Sequence, residues 1–285
     1  MILNILLTGN KTKRHFNSTL NDLYKYLLKN YSHNIFIDKY VENSKLTFTY
    51  NSIHSKRIIY DMVVCIGGDG SILSAVRRMG NNQKPLLGIH IGNLGFLNQA
   101  NKSNFKIKIN FILNQSTINF NKFILLESIF TTKKKSFNKV LSLNDIVVTQ
   151  SKISRLINLS AFSKKTLINK FACDGLIVST PIGSTGYSLS AGGPIVSRDV
   201  NSFIITPISP HKLSASPIVI NSNETLEIKF SKKYKNIYIS SDGQETFEIL
   251  DGSTIKIKKS KYSAKFIKVK SSNDYYLNLR DKLGW

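Results

Sequence analysis

The chain holds only two cysteines, Cys65 and Cys173, far apart among its 285 residues. That excludes a disulfide-stapled fold and a cysteine-based zinc cluster, and it makes a reducing cytoplasm the expected compartment. No apolar stretch approaches the ~18 to 20 residues of a membrane span. The apolar run Met1 to Leu7 precedes Lys11, Lys13 and Arg14, the reverse of a secretory signal, so no membrane partner is expected. Acids are scarce as well: 17 Asp and Glu stand against 40 Lys and Arg, for a formal charge of +23. Such an excess ordinarily points to nucleic acid. Arginine, however, supplies only 7 of the 40 cations, and it is arginine whose planar fork suits phosphate and guanine. The 33 Lys come with 36 Ile and 28 Asn, a combination that reads as A/T-rich codon usage acting on an ordinary solvated surface. Zinc-finger, basic-zipper and RNP-like patterns are missing too, so no nucleic-acid partner is expected, and the surface field should only modestly favour the arrival of small anions.

What is present is a folded chain, 41% hydrophobic and 20% charged. Residues 1–100 read as an α/β domain with an open, mostly parallel sheet. Ile2 to Leu7 is a short strand, and Ser18 to Leu28 carries Leu20, Leu23, Tyr24, Leu27 and Leu28 at helical spacing, with Ser18 or Thr19 as cap. Asn34 to Ile37 is a second strand, and Met62 to Ile66 is the unbroken apolar run of a buried parallel strand. It stops at Gly67-Gly68-Asp69-Gly70, after which Ser71 caps a helix with Ile72, Leu73, Val76 and Met79 on one face. Pro85 to Ile91 is a further strand. Residues 101–270 read as a β-rich domain of short alternating segments, among them Lys106 to Ile112, Phe123 to Thr132, Ile146 to Thr149 and Leu156 to Phe162. Residues 271–285 suggest a terminal helix that packs back on the first domain.

Two motifs carry chemistry. Three glycines around one acid, after a buried strand and before a helix, let backbone N–H groups approach a phosphate. Gly67-Gly68-Asp69-Gly70 is neither a G-x-x-x-x-G-K-[ST] loop nor a dinucleotide fingerprint, since Leu73 stands where a third glycine belongs. An acid in such a loop either accepts a proton from an attacking hydroxyl, helps place a divalent cation, or merely forms the turn. The second motif, Asp174 to Pro194, is a strand feeding a loop dense in Gly, Ser and Thr, with one tyrosine and no further charge, as suits hydrogen bonding to a sugar, amide or phosphate. His211, in Ser209-Pro210-His211, is either an acid/base group or, as we expect, part of a turn.

These motifs, with Asn93-Leu94-Gly95-Phe96-Leu97, Leu143-Asn144-Asp145, Ser209 to Ser214 with Pro217, and Asp242-Gly243-Gln244, occur in the order and spacing of the bacterial NAD kinases, which the chain resembles from about residue 60 to its end. The resemblance implies an active site in a cleft between an α/β and a β-rich domain, within a homo-oligomer, dimer or tetramer. It implies transfer of the ATP γ-phosphate to the adenosine ribose 2′-hydroxyl of NAD, with a divalent cation such as Mg²⁺. By matching position Asp69 is the proton acceptor. Gly67, Gly68, Asp69, Gly70, Asn144, Asp145, Arg155, Asp174, Thr185, Gly186, Tyr187, Ser188, Leu189, Ser190 and Gln244 would line the nucleotide sites; metal ligands are not identified. The chain departs from the family where Asp145 replaces the usual Glu, Gly186 the common Ala and Ser216 an Arg. The alternatives are another hydroxyl kinase using the same glycine loop on a lipid or sugar, which the Asp174 to Pro194 block does not favour, and the basic nucleic-acid binder weighed above.

Overall fold

A computed structural model of the chain describes residues 2–42, 49–54, 58–92, 95–134, 136–150, 156–212, 214–269 and 275–284. The chain divides into two compact units, Met1–Lys122 with Ala264–Trp285, and Phe123–Ser263.

The first unit is built on a parallel sheet. Its strands run in the order Ile255–Ile267 (by its last residues), Pro85–His90, Met62–Gly67, Asn4–Gly9, Asn34–Asp38 and Tyr50–Asn51, and every one of these pairings is parallel. Met62–Gly67 is buried at all six positions, as an apolar run in a covered parallel strand must be. Helix Phe16–Asn30 buries Leu20, Leu23 and Leu27, one stripe at i, i+3 and i+7, in a core with Ile5, Leu7, Val64, Ile66 and Ile89. Truncating Leu23 to Ala would cost about 2–5 kcal/mol. Asp38, 2% exposed, is held by Arg78, which also donates to Thr8 Oγ1 at 2.9 Å and lies 4.1 Å over the Tyr40 ring.

Several local expectations need correcting. Lys106 to Ile112 is not a strand: Phe105–Leu113 is a helix that buries Phe105, Lys108, Ile109 and Ile112. The Lys-Ile-Lys-Ile stretch fits period 2, but Phe105, Ile109 and Ile112 share a helical face, and that longer pattern wins. The first unit accordingly runs to Lys122 and resumes at Ala264. Helix Phe16–Asn30 starts from His15 at φ 69°, not from a Ser18 or Thr19 cap, because Ser18 Oγ donates to the His15 carbonyl inside the first turn. Helix Asp69–Met79 takes Gly68, not Ser71, as its cap residue, which brings an acid into the first turn where the helix dipole favours it. The terminal helix, Tyr275–Leu283, turns Leu279 inward and leaves Tyr276 exposed.

The second unit is an antiparallel sandwich. One sheet runs Ile218–Asn221, Ser202–Ile208, Gly175–Ser179, Asp145–Gln150, Ile237–Ser241, Glu245–Glu248. The other layer runs Thr166–Cys173, Ile157–Ser163, Leu226–Phe230 and the start of Ile255–Ile267, and Phe120–Phe130 pairs with Asn138–Ser142. Val148, Leu176, Val178, Ile205 and Ile239 from one sheet and Leu159, Phe171, Ile228 and Ile257 from the other share one core. Ile157–Ser163 alternates inward and outward along its length, as a strand with one covered face should.

Candidate active site

In the first unit the Met62–Gly67 strand delivers the glycine loop, and Asp69 is the first residue of the helix that follows. Its carboxylate is well held. Oδ2 accepts from the Phe96 N–H at 2.7 Å, and Oδ1 accepts from the Leu97 N–H and Asn98 Nδ2, both at 3.1 Å. A carboxylate offers about four lone-pair positions, so the described residues fill three and leave one, on Oδ2. The segment that supplies these donors reaches Asp69 only because residue 95 is glycine: a Cβ there would fall on the carboxylate itself. Gly67 lies at the strand end with φ 155°, directly over Ser71, while Gly68 faces open space and Gly70 is exposed on the helix. Asn93 and Leu94 of the Asn93-Leu94-Gly95-Phe96-Leu97 motif lie outside the described residues.

In the second unit Asn144 and Asp145 stand at the start of the Asp145–Gln150 strand, and Asp242 organises them. Its carboxylate accepts from the N–H groups of Asn144 at 2.7 Å and of Leu143 and Asp145 at 3.1 Å. Asp242 does this from φ 50°, and its own N–H donates to the Asp145 carbonyl at 3.0 Å. Burial, and then the neighbouring Asp242 carboxylate, push the Asp145 carboxyl from 3.8 up to about 7. Asn144 Oδ1 is buried and has no hydrogen-bond partner among the described residues.

The Gly/Ser/Thr block folds as strand Gly175–Ser179, a 3₁₀ turn Ile182–Thr185 and a single helical turn Tyr187–Ser190. Thr180 ties it to the Asn144 segment, its N–H donating to the Asn144 carbonyl at 2.8 Å and its hydroxyl to the Leu143 carbonyl at 2.6 Å. Gly183 then packs on the Asn144 backbone so closely that a Cβ would overlap the Asn144 carbonyl. Not every hydroxyl faces outward. Ser188 is fully buried against Thr206, 2.9 Å between hydroxyls, and Ser184 donates to the Pro181 carbonyl at 2.6 Å. Tyr187 and Ser190 are exposed, and Thr185, Gly186 and Leu189 are half-buried. Asp174 and Gln244 are exposed at the ends of their strands. Arg155 lies outside the described residues.

The remaining candidates fall away from chemistry. The His211 N–H donates to the Ala172 carbonyl at 2.8 Å and its side chain is exposed, which fits a turn. Burial pushes the Cys65 thiol up to about 12 and the Cys173 thiol up to about 11, so both stay protonated at neutral pH. Among the described residues no three His, Cys, Asp or Glu side chains form a group able to hold a metal ion, and no helix is long and apolar enough to cross a membrane. Sequence reasoning missed two residues of this geometry: Asp242, visible only as part of a motif credited to Gln244, and Asn98, which carried no motif signal.

Both units have relatives among known proteins. Residues 5–117 match the family model of the ATP-NAD kinase N-terminal domain, and residues 143–269 match that of the ATP-NAD kinase C-terminal domain. The chain is 37% identical over 275 residues to the NAD kinase of Wigglesworthia glossinidia brevipalpis, spanning 94% of this chain and 90% of the relative. It is 34% identical over 288 residues to the NAD kinase of Pseudomonas putida strain W619, spanning 99% and 95%. Among solved structures, an NAD kinase from Archaeoglobus fulgidus in complex with ATP superposes with a TM-score of 0.79 at 26% identity, covering 99% of each chain. Yeast NADH kinase complexed with NADH shares the fold, with a TM-score of 0.88 at 24% identity over 100% of this chain and 88% of that one. With both family models matched and relatives of this similarity along nearly its whole length, the chain belongs to the NAD kinase family.

Proposed function

We propose that this chain transfers the γ-phosphoryl group of ATP to the adenosine ribose 2′-hydroxyl of NAD, giving NADP and ADP, with Asp69 as the proton acceptor. The observation that carries the assignment of Asp69 is the single open lone-pair position on its Oδ2, the other three being filled by Phe96, Leu97 and Asn98. Phosphoryl transfer asks little covalent chemistry of the protein beyond positioning and charge stabilisation, so a glycine loop with one fixed base suffices. The 2′-hydroxyl proton passes to Oδ2 as the new O–P bond forms and the β,γ-bridging P–O bond breaks, a contribution of about 10²–10⁴-fold.

On the second unit, Asn144, Asp145, Asp174, Thr185, Gly186, Tyr187, Leu189, Ser190 and Gln244 hold the dinucleotide, and Ser188 shapes that surface from beneath. The Asn144 side chain, with its unpartnered Oδ1, supports this reading. ATP as donor draws support from the ATP complex of the archaeal relative. The divalent cation, Mg²⁺, enters as part of the MgATP substrate. The two buried free thiols suit a cytoplasmic enzyme. A homo-oligomer, dimer or tetramer, would cover Leu156 and Leu167, 41% and 42% exposed beside the outer strands of the second unit; sedimentation tests it, and a monomer at micromolar concentration would overturn it.

The purified chain incubated with ATP, magnesium and NAD should yield NADP, read with an NADP-specific dehydrogenase. A folded preparation that hydrolyses ATP without making NADP would refute the acceptor.

A further inference from the structure

We propose that Asn98 is a positioning residue that selects which oxygen of Asp69 takes the substrate proton; the proposal rests on the reading of Asp69 as proton acceptor. The two oxygens of Asp69 are unequal. Oδ1 accepts twice, from the Leu97 N–H and from Asn98 Nδ2, whereas Oδ2 accepts once, from the Phe96 N–H. With Oδ1 filled, the remaining lone pair belongs to Oδ2, and the side chain cannot rotate its carboxylate without breaking three hydrogen bonds at once. Two of the three donors are backbone and would survive any substitution. Asn98 Nδ2 is the one that a side chain supplies.

The amide has only one workable orientation. Turned over, it would set its own oxygen against Asp69 Oδ1, two acceptors in contact. In the orientation found, Asn98 Oδ1 is buried and has no hydrogen-bond partner among the described residues. A buried acceptor left unpaired costs free energy that an apolar side chain of the same shape would not. The position therefore serves stability poorly at one end, while its other end holds the carboxylate.

The support beneath Asn98 is rigid. The next residue, Gln99, is bonded in both directions to Gly88 on the Pro85–His90 strand: the Gln99 N–H donates to the Gly88 carbonyl at 3.1 Å, and the Gly88 N–H donates to Gln99 Oε1 at 2.6 Å. Gly88 also makes room, since a Cβ there would lie 2.9 Å from Asn98 Oδ1 and 3.2 Å from its Cα. Strand, anchor and amide thus form a fixed arm that ends on the base.

Asn98→Leu keeps the volume and removes the donor; Asn98→Ala removes it with less bulk and no new charge, and serves if the leucine variant fails to fold. Both are compared with wild type and Asp69→Asn in kcat and in the KM values for NAD and ATP. We expect kcat to fall about tenfold or more, up to about the hundredfold that a 1 Å misplacement costs, with both KM values within about twofold. A folded Asn98 variant with wild-type kcat, or one whose KM values rise while kcat holds, with Asp69→Asn losing turnover, would overturn the positioning role alone. Wild-type turnover by Asp69→Asn is a different result and would sink the reading of Asp69 on which it rests.

Discussion

Asp145→Asn should make the protein more stable, and increasingly so as pH rises. Asp145 is 5% exposed and lies beside Asp242, and the two together lift its carboxyl from 3.8 to about 7. A folded-state value above the unfolded one means that the fold favours the neutral acid. The contribution of this group to stability is intact below about pH 4, is lost progressively as pH rises from 3.8 toward 7, and above 7 the fold bears the whole cost of a buried charge. Some three pH units at about 1.36 kcal/mol each set a ceiling near 4 kcal/mol. With that ceiling discounted for relaxation around the buried charge, a gain of about 2–4 kcal/mol at pH 8.5 is the working figure. Asparagine keeps the shape and cannot ionise, so that gain appears as a rise in Tm of roughly 5–10 °C at pH 8.5 and shrinks to almost nothing near pH 4. Thermal and urea denaturation of both proteins across pH 4–9 measure it. A gap that does not widen with pH, or a variant less stable than wild type at pH 8.5, would refute the reasoning.

Arg78→Met should cost about 3–5 kcal/mol, because it strands the Asp38 carboxylate at 2% exposure, and adding Asp38→Leu should recover much of the loss; urea denaturation of the single and double variants checks this, and equal stability of the two would contradict it. Gly183→Ala should raise the KM for NAD by about tenfold or more, since the new methyl displaces the 3₁₀ turn from the Asn144 backbone. An unchanged KM in a folded Gly183→Ala would remove that contact from the site.

Long-range order was legible wherever one local signal dominated. Met62 to Ile66 could only be a covered parallel strand, and the three glycines around Asp69 could only follow it in a tight turn into a helix. The Lys106 to Ile112 stretch misled because two periods coincide in it, and only Phe105, outside the alternation, tips the balance toward a helix. Motif matching singled out Asp69, Asn144 and Asp145, yet it could not show what holds them. Asp242 reaches Asn144 across 98 positions of sequence and Asn98 reaches Asp69 across 29. Such contacts exist only once strands from distant parts of the chain are paired, and no local pattern encodes them. The hydroxyl-rich segment was legible as a structured loop, but which hydroxyls turn inward, as Ser184 and Ser188 do, depends on the partners Pro181 and Thr206.

The most direct test of the account is the rate of NADP formation by Asp69→Asn, measured at saturating ATP, magnesium and NAD on protein whose melting curve matches wild type. The account predicts a loss of about 10²–10⁴-fold in kcat. Turnover within a few-fold of wild type would contradict it.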